Sequence, residues 1–421
     1  MKISVQKNCE RLIWLLTVVL LSAFIILEFN IWGKYVYFGS AMLIVLLSAV
    51  VYDGIIRIRL RAFHGYFLLF TMYVLISSVW AWRPNDSINR ATSLIQMFIC
   101  LAMVYIHYDR SGTIDQMLSA IKWSGYFVVV YSIAVYGLDA MLESAQDIRM
   151  ATDFSNVNTI AMSAALSCMI QWNELLHKRS IWSVVMMIPS VILITATQSR
   201  KAFVLLLAGI FGVYIMMTTK QQSFGKKLLK ICLYVAILFV GLRLLLSLPI
   251  FSGSLERMEQ MLNFWTKSGK VDHSTQLRND MVKLGIEWFQ KYPILGIGMG
   301  NPHILAGTYL NFDAYLHNNF VELLCGGGVV GFAVYYVMYV HLFIELFKYR
   351  KADHDAFSVA LVWLGLVLIM NYGMVTYYSK TQWFYLLVHF INVKNLKNKH
   401  REMMENAEEP VAEGIEVSAG S

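Results

Sequence analysis

Long apolar runs separated by short polar segments dominate the pattern of this chain. Many of these runs extend over about 18–20 residues, the length that a helix needs to cross the hydrocarbon core of a membrane. The ten-residue alternating stretches typical of a transmembrane β-barrel do not occur. Because backbone groups in lipid must form hydrogen bonds within their own segment, the pattern predicts an all-α integral membrane protein.

The apolar runs predict about twelve transmembrane helices, of which the last is short. The first run ends without a small-residue cleavage site, so we expect it to stay in the protein as a helix and not to be removed as a signal peptide. The twelve helices are expected at residues 11–29, 35–52, 65–82, 91–107, 117–137, 156–173, 180–198, 200–218, 229–248, 317–347, 356–375 and 381–393.

The distribution of basic residues predicts the orientation of these helices. With the N-terminus in the cytoplasm, twenty Lys and Arg residues fall in inner segments and seven in the short outer loops. Cytoplasmic loops carry an excess of Lys and Arg, so both termini are expected in the cytoplasm. The seven basic residues of the short outer loops are Lys34, Arg83, Arg90, Arg149, Arg200, Lys201 and Lys380.

One outer loop, residues 249–316, is much longer than the others. We expect residues 1–400 to form one membrane domain that carries this loop, and the loop to contribute part of an active site. Residues 401–421 are acidic and poor in aromatic residues, which predicts a disordered cytoplasmic tail.

The long loop is predicted to contain two helices followed by a Gly/Pro-rich connection. The first begins near Ser254 and ends near Trp265, and the second follows Ser274 as a predicted N-cap. The second helix has an apolar face, which we expect to lie along the membrane surface. That face is formed by Leu277, Met281, Leu284 and Trp288.

Composition supports a membrane protein and excludes several other classes. Hydrophobic residues make up 57% of the 421 residues and charged residues only 15%, whereas soluble domains have about 25% charged residues. The net charge of +8 comes from basic residues spread over short loops without interleaved aromatics, so no nucleic-acid partner is expected. The five cysteines lack paired spacing, which predicts free thiols, no disulfide and no metal site.

Two glycine clusters resemble nucleotide-binding loops only superficially. Gly296–Gly300 and Gly326–Gly331 neither follow a predicted strand nor precede a Lys-Ser or Lys-Thr pair. In a membrane helix, Gly328 and Gly331 instead favour close approach of a second backbone.

The candidate chemistry consists of basic residues at the starts of three outward-facing helices: Arg200 with Lys201, Arg278, and His317. A helix N-terminus carries partial positive charge, so a cation there is unfavourable by a few tenths of a kcal/mol. If these groups face one site, their charges and the free N–H groups suit a phosphate or pyrophosphate. Arg243 is a further candidate cation for that site.

Each of these residues also has an ordinary structural interpretation. Arg200 and Lys201 could be interfacial anchors, Arg278 a solvated residue, Arg243 a residue that snorkels to the interface, and His317 a helix cap. A transporter or lipid flippase is the rival function, but it would place acidic groups deeper in the membrane and commonly shows internal repeats. A structural scaffold would not need this set of cations.

Several motifs together resemble the O-antigen ligase and O-antigen polymerase superfamily of bacterial envelope glycosyltransferases. They span about residues 195–335 and occur in the order expected for that superfamily. The motifs are Thr197-Gln-Ser-Arg-Lys-Ala202, then Arg278 with Trp288, Pro293 and Gly296-Ile-Gly298, and then His317-Asn318, nine residues, and Gly328-Val-Val-Gly331.

The resemblance implies a metal-independent, inverting glycosyl transfer at the outer face of the inner membrane, without a cofactor. It implies that the donor is a glycan on undecaprenyl pyrophosphate, and that Arg200 and Arg278, with Lys201 and Arg243 as candidates, bind its pyrophosphate. His317 would activate the acceptor hydroxyl, and a histidine near its ordinary pKa of about 6.5 can accept that proton. The supporting residues would be Asn318 and Glu322, the latter by orienting the histidine.

A polymerase and a ligase share these motifs. A polymerase extends one lipid-linked glycan with another, whereas a ligase moves the whole glycan to lipid A-core or another anchor. The runs that begin at His317 and Gly331 resemble polymerases of surface polysaccharides such as O-antigen or capsule, which favours a polymerase. Membrane lipids, a chain-length regulator and a flippase are the further partners considered, and the sugars stay open.

Overall fold

A computed structural model describes residues 2–146, 150, 152–218 and 273–408, with isolated residues between 219 and 272. Within these residues all regular elements are helices, as the apolar runs predict. They are α1 Lys2–Ile26, α2 Gly33–Val51, α3 Ala62–Ile76, α4 Pro84–Ser111, α5 Ile114–Tyr136, α6 Leu138–Gln146, α7 Val157–Lys178, α8 Ile181–Ala196, α9 Arg200–Thr218, α10 His273–Lys291, α11 Pro302–Leu310, α12 Asn319–Lys348, α13 His354–Gly373 and α14 Lys380–Glu408.

Seven helices in the described part of the chain are long and apolar enough to cross a membrane. They are α1, α2, α3 with the 3₁₀ turn that follows it, α4, α5, α12 and α13. The all-α membrane class is therefore confirmed, and the number of about twelve spans stays a prediction. The predicted helix 229–248 and the predicted helix from Ser254 to Trp265 lie outside the described residues, apart from isolated positions.

The last helix differs most from its prediction. Instead of ending at residue 393, α14 continues to Glu408, so residues 401–408 of the predicted disordered tail are helical. The extension contains good helix formers, and Arg401 pairs with Glu405 one turn later at 3.6 Å. Residues 409–421 lie outside the described part.

Side-chain caps define the starts of three helices. The Oδ1 atom of Asn156 accepts a hydrogen bond from the backbone N–H of Asn158 at the start of α7. Asn318 caps α12, and Asp353 caps α13 through the N–H groups of residues 355 and 356. These caps satisfy amide groups that have no partner within the helix.

The helix α10 has the predicted apolar face, but this face packs against protein and not against the membrane surface as predicted. Met281 is fully buried, and Leu277, Leu284 and Trp288 pack into the same small core with residues of α11 and the start of α12. The face therefore covers protein and not the membrane surface. The helix begins at His273, which places Ser274 in the first turn and not at the N-cap.

The two glycine clusters pack directly against each other. The N–H groups of Ile297 and Gly298 donate to the carbonyls of Cys325 and Gly326 at 3.0 and 2.9 Å, and Val329 donates to Pro293 at 2.8 Å. This contact requires bare backbone, because a Cβ on Gly296 would lie 2.5 Å from the Cys325 carbonyl oxygen. The predicted close approach at the second cluster is confirmed.

All five cysteines are free thiols, and four of them are buried. Cys100, Cys168 and Cys325 lie among apolar side chains, where a thiol packs as a small hydrophobe.

Candidate functional site

Three of the predicted cations, Arg200, Lys201 and Arg278, lie at one end of the helical bundle. Arg200 is the first residue of α9, and its Nη2 atom donates to the hydroxyl of Thr275 on α10 at 2.9 Å. Arg278 lies one turn further along α10, and both Arg278 and Lys201 act electrostatically on His317. Segments far apart in the sequence thus meet around one imidazole ring.

His317 lies just before the cap of α12 in an unusual backbone conformation. Its φ is +57°, a left-handed value that costs energy for a residue with a side chain and often marks functional sites. Its ring lies 4.3 Å from the ring of Tyr315. The Nδ1 atom is buried and has no hydrogen-bond partner among the described residues. A buried polar atom without a partner is costly, so this nitrogen suits a ligand.

The surroundings of His317 lower its pKa to about 3. Burial is the largest cause, and the positive charges of Arg278 and Lys201 oppose protonation further. The expected pKa near 6.5 is therefore wrong for His317 in the folded protein. The sequence reveals neither how deeply the imidazole is buried nor how close the two cations lie. The imidazole is therefore neutral at physiological pH when no anion is bound.

Asn318 and Glu322 hold the backbone around His317. The Oδ1 atom of Asn318 accepts from the N–H groups of Phe320 and Val321 at 3.0 and 3.2 Å. The buried Glu322 accepts from the N–H of Leu316 at 2.8 Å. No hydrogen bond joins Glu322 to the imidazole within the described residues, so the carboxylate acts on the segment before His317 and not on its ring.

Lys201 is engaged with the end of another helix. Its ammonium donates to the carbonyl of Gly373 at the C-terminus of α13, where the helix dipole favours a cation. Its stem occupies the space of a side chain at Gly373, since a Cβ there would lie 2.7 Å from Lys201 Cδ. Lys201 therefore joins α9 to α13 as well as contributing charge beside His317.

Arg90 is a site residue that the sequence analysis treated only as a charge in an outer loop. It lies in the second turn of α4, with its guanidinium 3.8 Å from the ring centre of Tyr378. It also interacts electrostatically with Glu322. The only sequence signal was its position among the few outer basic residues, and the stacking partner is far away along the chain. Arg243 lies outside the described residues.

Asn319 fixes the segment that carries Tyr378. Its Oδ1 atom accepts from the N–H groups of Thr376 and Tyr377 at 2.8 and 3.0 Å, and its Nδ2 donates to the hydroxyl of Tyr336 at 3.1 Å. Asn319 is fully buried, so its polar atoms are satisfied inside the protein. The loop between α13 and α14 is thereby held against the start of α12.

Glu28 connects the end of α1 to the same region. Its Oε2 atom accepts from the Ser155 hydroxyl at 2.6 Å and from the Asn156 N–H at 3.2 Å. Glu28 also interacts electrostatically with Lys380 and Tyr315. It therefore places the start of α7 beside the residues around His317.

Comparison with known families gives the site a context. Residues 185–336 match a family model described as O-antigen ligase. The match supports the resemblance of this chain to the O-antigen ligase and polymerase superfamily that its motifs indicate. The matched segment contains Arg200, Lys201, Arg278 and His317, whereas Arg90 and Tyr378 lie outside it. A search of curated proteins finds no match to this chain.

The family match over residues 185–336, together with the apolar helices, indicates a membrane protein with glycosyltransferase activity of the ligase or polymerase type. Among the described residues, no group of three or more His, Cys, Asp and Glu side chains is arranged to hold a metal ion. The charged groups that surround His317 are mainly cations, an arrangement that suits an anionic substrate.

Proposed function

We propose that this protein is a polymerase of a surface polysaccharide. It transfers a glycan from undecaprenyl pyrophosphate to a hydroxyl of an acceptor sugar, at the outer face of the inner membrane. The observation that supports this most directly is the buried, unpartnered Nδ1 of His317 beside Arg278 and Lys201. A neutral imidazole among cations matches a reaction that removes a proton and releases an anion.

In the proposed reaction, the imidazole of His317 accepts the proton of the acceptor hydroxyl as that oxygen attacks the anomeric carbon of the donor. The bond from the anomeric carbon to the pyrophosphate oxygen breaks, and its electron pair leaves with the lipid pyrophosphate. A single displacement of this kind inverts the anomeric configuration. General base catalysis of this type contributes about 10²–10⁴-fold to a rate.

Arg200, Lys201 and Arg278 are proposed to bind the pyrophosphate, with Arg243 as a further candidate from the residues that are not described. Cations fixed before the reaction stabilise the charge that develops on the leaving group, so arginines can replace a metal ion in this role. Bound pyrophosphate also offsets the charges that lower the pKa of His317. Donor binding therefore raises the pKa of His317 at the stage when the imidazole must accept the proton of the acceptor hydroxyl.

Ligation is the second candidate function. The matching family model carries the description O-antigen ligase, which favours transfer of a complete glycan to lipid A-core or another anchor. The proposed chemistry is the same for both functions, and only the acceptor differs.

The test compares surface and lipid-linked glycans by gel electrophoresis in cells with the intact gene, a deletion, His317→Ala or Arg278→Ala. We expect loss of the long glycan ladder with single repeat units left, in the deletion and in both variants. A full-length glycan stranded on its lipid carrier would instead support the ligase.

The matched control is Arg83→Ala, which removes an exposed cation at the start of α4 whose charge is not among those that act on His317. All variants must be present in the membrane at equal amounts. A normal ladder in both His317→Ala and Arg278→Ala would disprove the proposed site and favour transport.

A further inference from the structure

Arg90 is a cation beside the candidate site that the proposed reaction does not use. It lies in the second turn of α4, and its guanidinium carbon is 3.8 Å from the ring centre of Tyr378. Tyr378 interacts electrostatically with Tyr315, whose ring lies 4.3 Å from that of His317. Two tyrosines therefore connect Arg90 to the imidazole.

Arg90 lies apart from the cations that are proposed to bind the pyrophosphate. Arg200 and Lys201 belong to α9 and Arg278 belongs to α10, whereas Arg90 belongs to α4. Among the described residues, the charges that act on His317 are those of Arg278 and Lys201 and not that of Arg90. This position suits a residue that binds substrate away from the proton transfer.

The guanidinium of Arg90 has unused hydrogen-bond donors. Arg90 is half-buried, yet it forms no hydrogen bond and no ion pair within 4 Å in the part of the chain that the structure describes. Its nitrogen atoms are not among the buried atoms without a partner, so they are accessible to a ligand. Stacking uses only the face of a guanidinium, which leaves the N–H groups on its edge available.

The carboxylates near Arg90 are engaged with other groups. Asp86 and Glu322 act on Arg90 only through space. The Oδ2 atom of Asp86 lies 3.7 Å from the Nε2 atom of His303, and Glu322 accepts from the N–H of Leu316. Neither carboxylate therefore forms the paired hydrogen bonds with which an arginine binds a carboxylate or a phosphate most strongly.

We propose that Arg90 binds an anionic group, a carboxylate or a phosphate, on a sugar of the acceptor glycan. The glycan extends along Tyr378 and Tyr315, so that its attacking hydroxyl reaches His317. A sugar ring has apolar faces and polar edges, which suit tyrosine rings beside a guanidinium. This assignment rests on the proposed transfer reaction and adds the class of acceptor that the site selects.

The test uses the full-length protein in nanodiscs at constant ionic strength, since salt screens charge. Thermal unfolding is followed as sodium glucuronate, glucose 6-phosphate or glucose is added. We expect a saturable rise in melting temperature with glucuronate or glucose 6-phosphate and none with glucose. The stronger response of the two identifies the anionic group as a carboxylate or as a phosphate.

Arg90→Gln is expected to weaken binding of the anionic sugar about tenfold or more, since charged hydrogen bonds are lost. Arg90→Lys keeps the charge without the planar set of donors and should weaken binding less. The matched control is Arg83→Gln, which removes an exposed cation at the start of the same helix and should leave binding unchanged. Each variant is compared with its own melting temperature without ligand, so that a change in stability alone does not count as a change in binding.

Three results would overturn the proposal. They are equal responses to glucose and the anionic sugars, no response to either anionic sugar, and an unchanged response in Arg90→Gln.

Inorganic pyrophosphate tests the proposed function separately in the same assay. Its binding should be lost in Arg278→Gln and kept in Arg90→Gln, because Arg278 is proposed to hold the leaving group. Equal loss of pyrophosphate binding in both variants would place Arg90 in the donor site and contradict its assignment to the acceptor. Failure of pyrophosphate to bind, with anionic sugars still bound through Arg90, would contradict the donor site alone.

Discussion

His317 is surrounded by cations before any substrate binds, which reverses the usual pairing of a catalytic histidine with a carboxylate. The buried carboxylate of Glu322 accepts a hydrogen bond from the N–H of Leu316 and none from the imidazole within the described residues. Burial and the charges of Arg278 and Lys201 keep the imidazole neutral. A neutral base beside fixed cations is suited to a substrate that brings its own negative charge.

The low pKa of His317 also predicts how folding stability depends on pH. The pKa is about 3 in the folded protein and 6.5 as the ordinary value. Between these values the unfolded chain binds more protons than the folded protein, so this histidine's contribution to stability is complete above pH 6.5. The contribution is lost progressively as the pH falls from 6.5 towards 3.

We expect the imidazole of His317 to stay neutral at about pH 5 in the protein without substrate, well below the ordinary pKa of histidine. NMR of protein with ¹⁵N-labelled histidine measures this, and the His317 signal is identified by its absence in His317→Gln. In Arg278→Gln the pKa should rise, because one of the two opposing charges is gone. Arg83→Gln should leave it unchanged, and a midpoint near 6.5 in the intact protein would contradict the site geometry.

At the level of elements, contact between the two glycine clusters positions the long loop on α12. Gly328 has a φ of +60° and a ψ of −166°, a conformation essentially restricted to glycine. It interrupts α12, and at this point the helix accepts the backbone of residues 293–298 as a neighbour. His317 lies at the start of α12 and Arg278 lies on the long loop. The contact between the glycine clusters therefore helps to fix the position of Arg278 relative to His317.

Gly328→Ala is therefore expected to destabilise the protein by at least about 1 kcal/mol. The new Cβ would overlap the carbonyl group of Ile294, and alanine avoids the backbone conformation at this position. Thermal unfolding of the purified protein in detergent measures the change. Gly365→Ala is the matched control, because a Cβ at that position in α13 meets nothing within 4 Å. This control should be neutral or slightly stabilising, since alanine favours helix. Equal melting temperatures for both variants would show that the contact is dispensable.

The helices were predictable from sequence because lipid forces each apolar run into a helix of defined length. The predictions failed where neighbouring protein decides the outcome. The apolar face of α10 has the same pattern whether it covers lipid or protein, and the extension of α14 was hidden by its acidic composition. The two short helices α6 and α11 lack the long apolar pattern that identifies a membrane span.

The site itself was only partly accessible to sequence reasoning. Helix starts and motif order singled out Arg200, Arg278 and His317, because a cation at a helix N-terminus is unusual in itself. The stacking of Arg90 on Tyr378 and the binding of Lys201 to Gly373 depend on how distant helices pack. No local pattern encodes such pairs, and so neither the pairs nor the low pKa of His317 could be predicted.

At the scale of the whole molecule, the two ends of the bundle differ in chemistry. One end carries His317 and its cations, and the other carries an acidic cavity between α5, α7, α13 and α14. The excess of Lys and Arg in the inner segments predicts that the His317 end lies outside and the opposite end in the cytoplasm. If this orientation is correct, donor glycans reach His317 only after they have crossed the membrane.

Single cysteines test this orientation in a protein whose exposed Cys232 is replaced by serine, while the four buried thiols stay in place. The two positions chosen for a new cysteine are Asp313, in the exposed segment before His317, and Arg59, in the exposed segment between α2 and α3. A maleimide that cannot cross membranes should label Asp313→Cys in intact cells and Arg59→Cys only after permeabilisation. The parent without either new cysteine reports background labelling. The reverse pattern would place His317 in the cytoplasm, and transfer at the outer face would then be impossible for this protein.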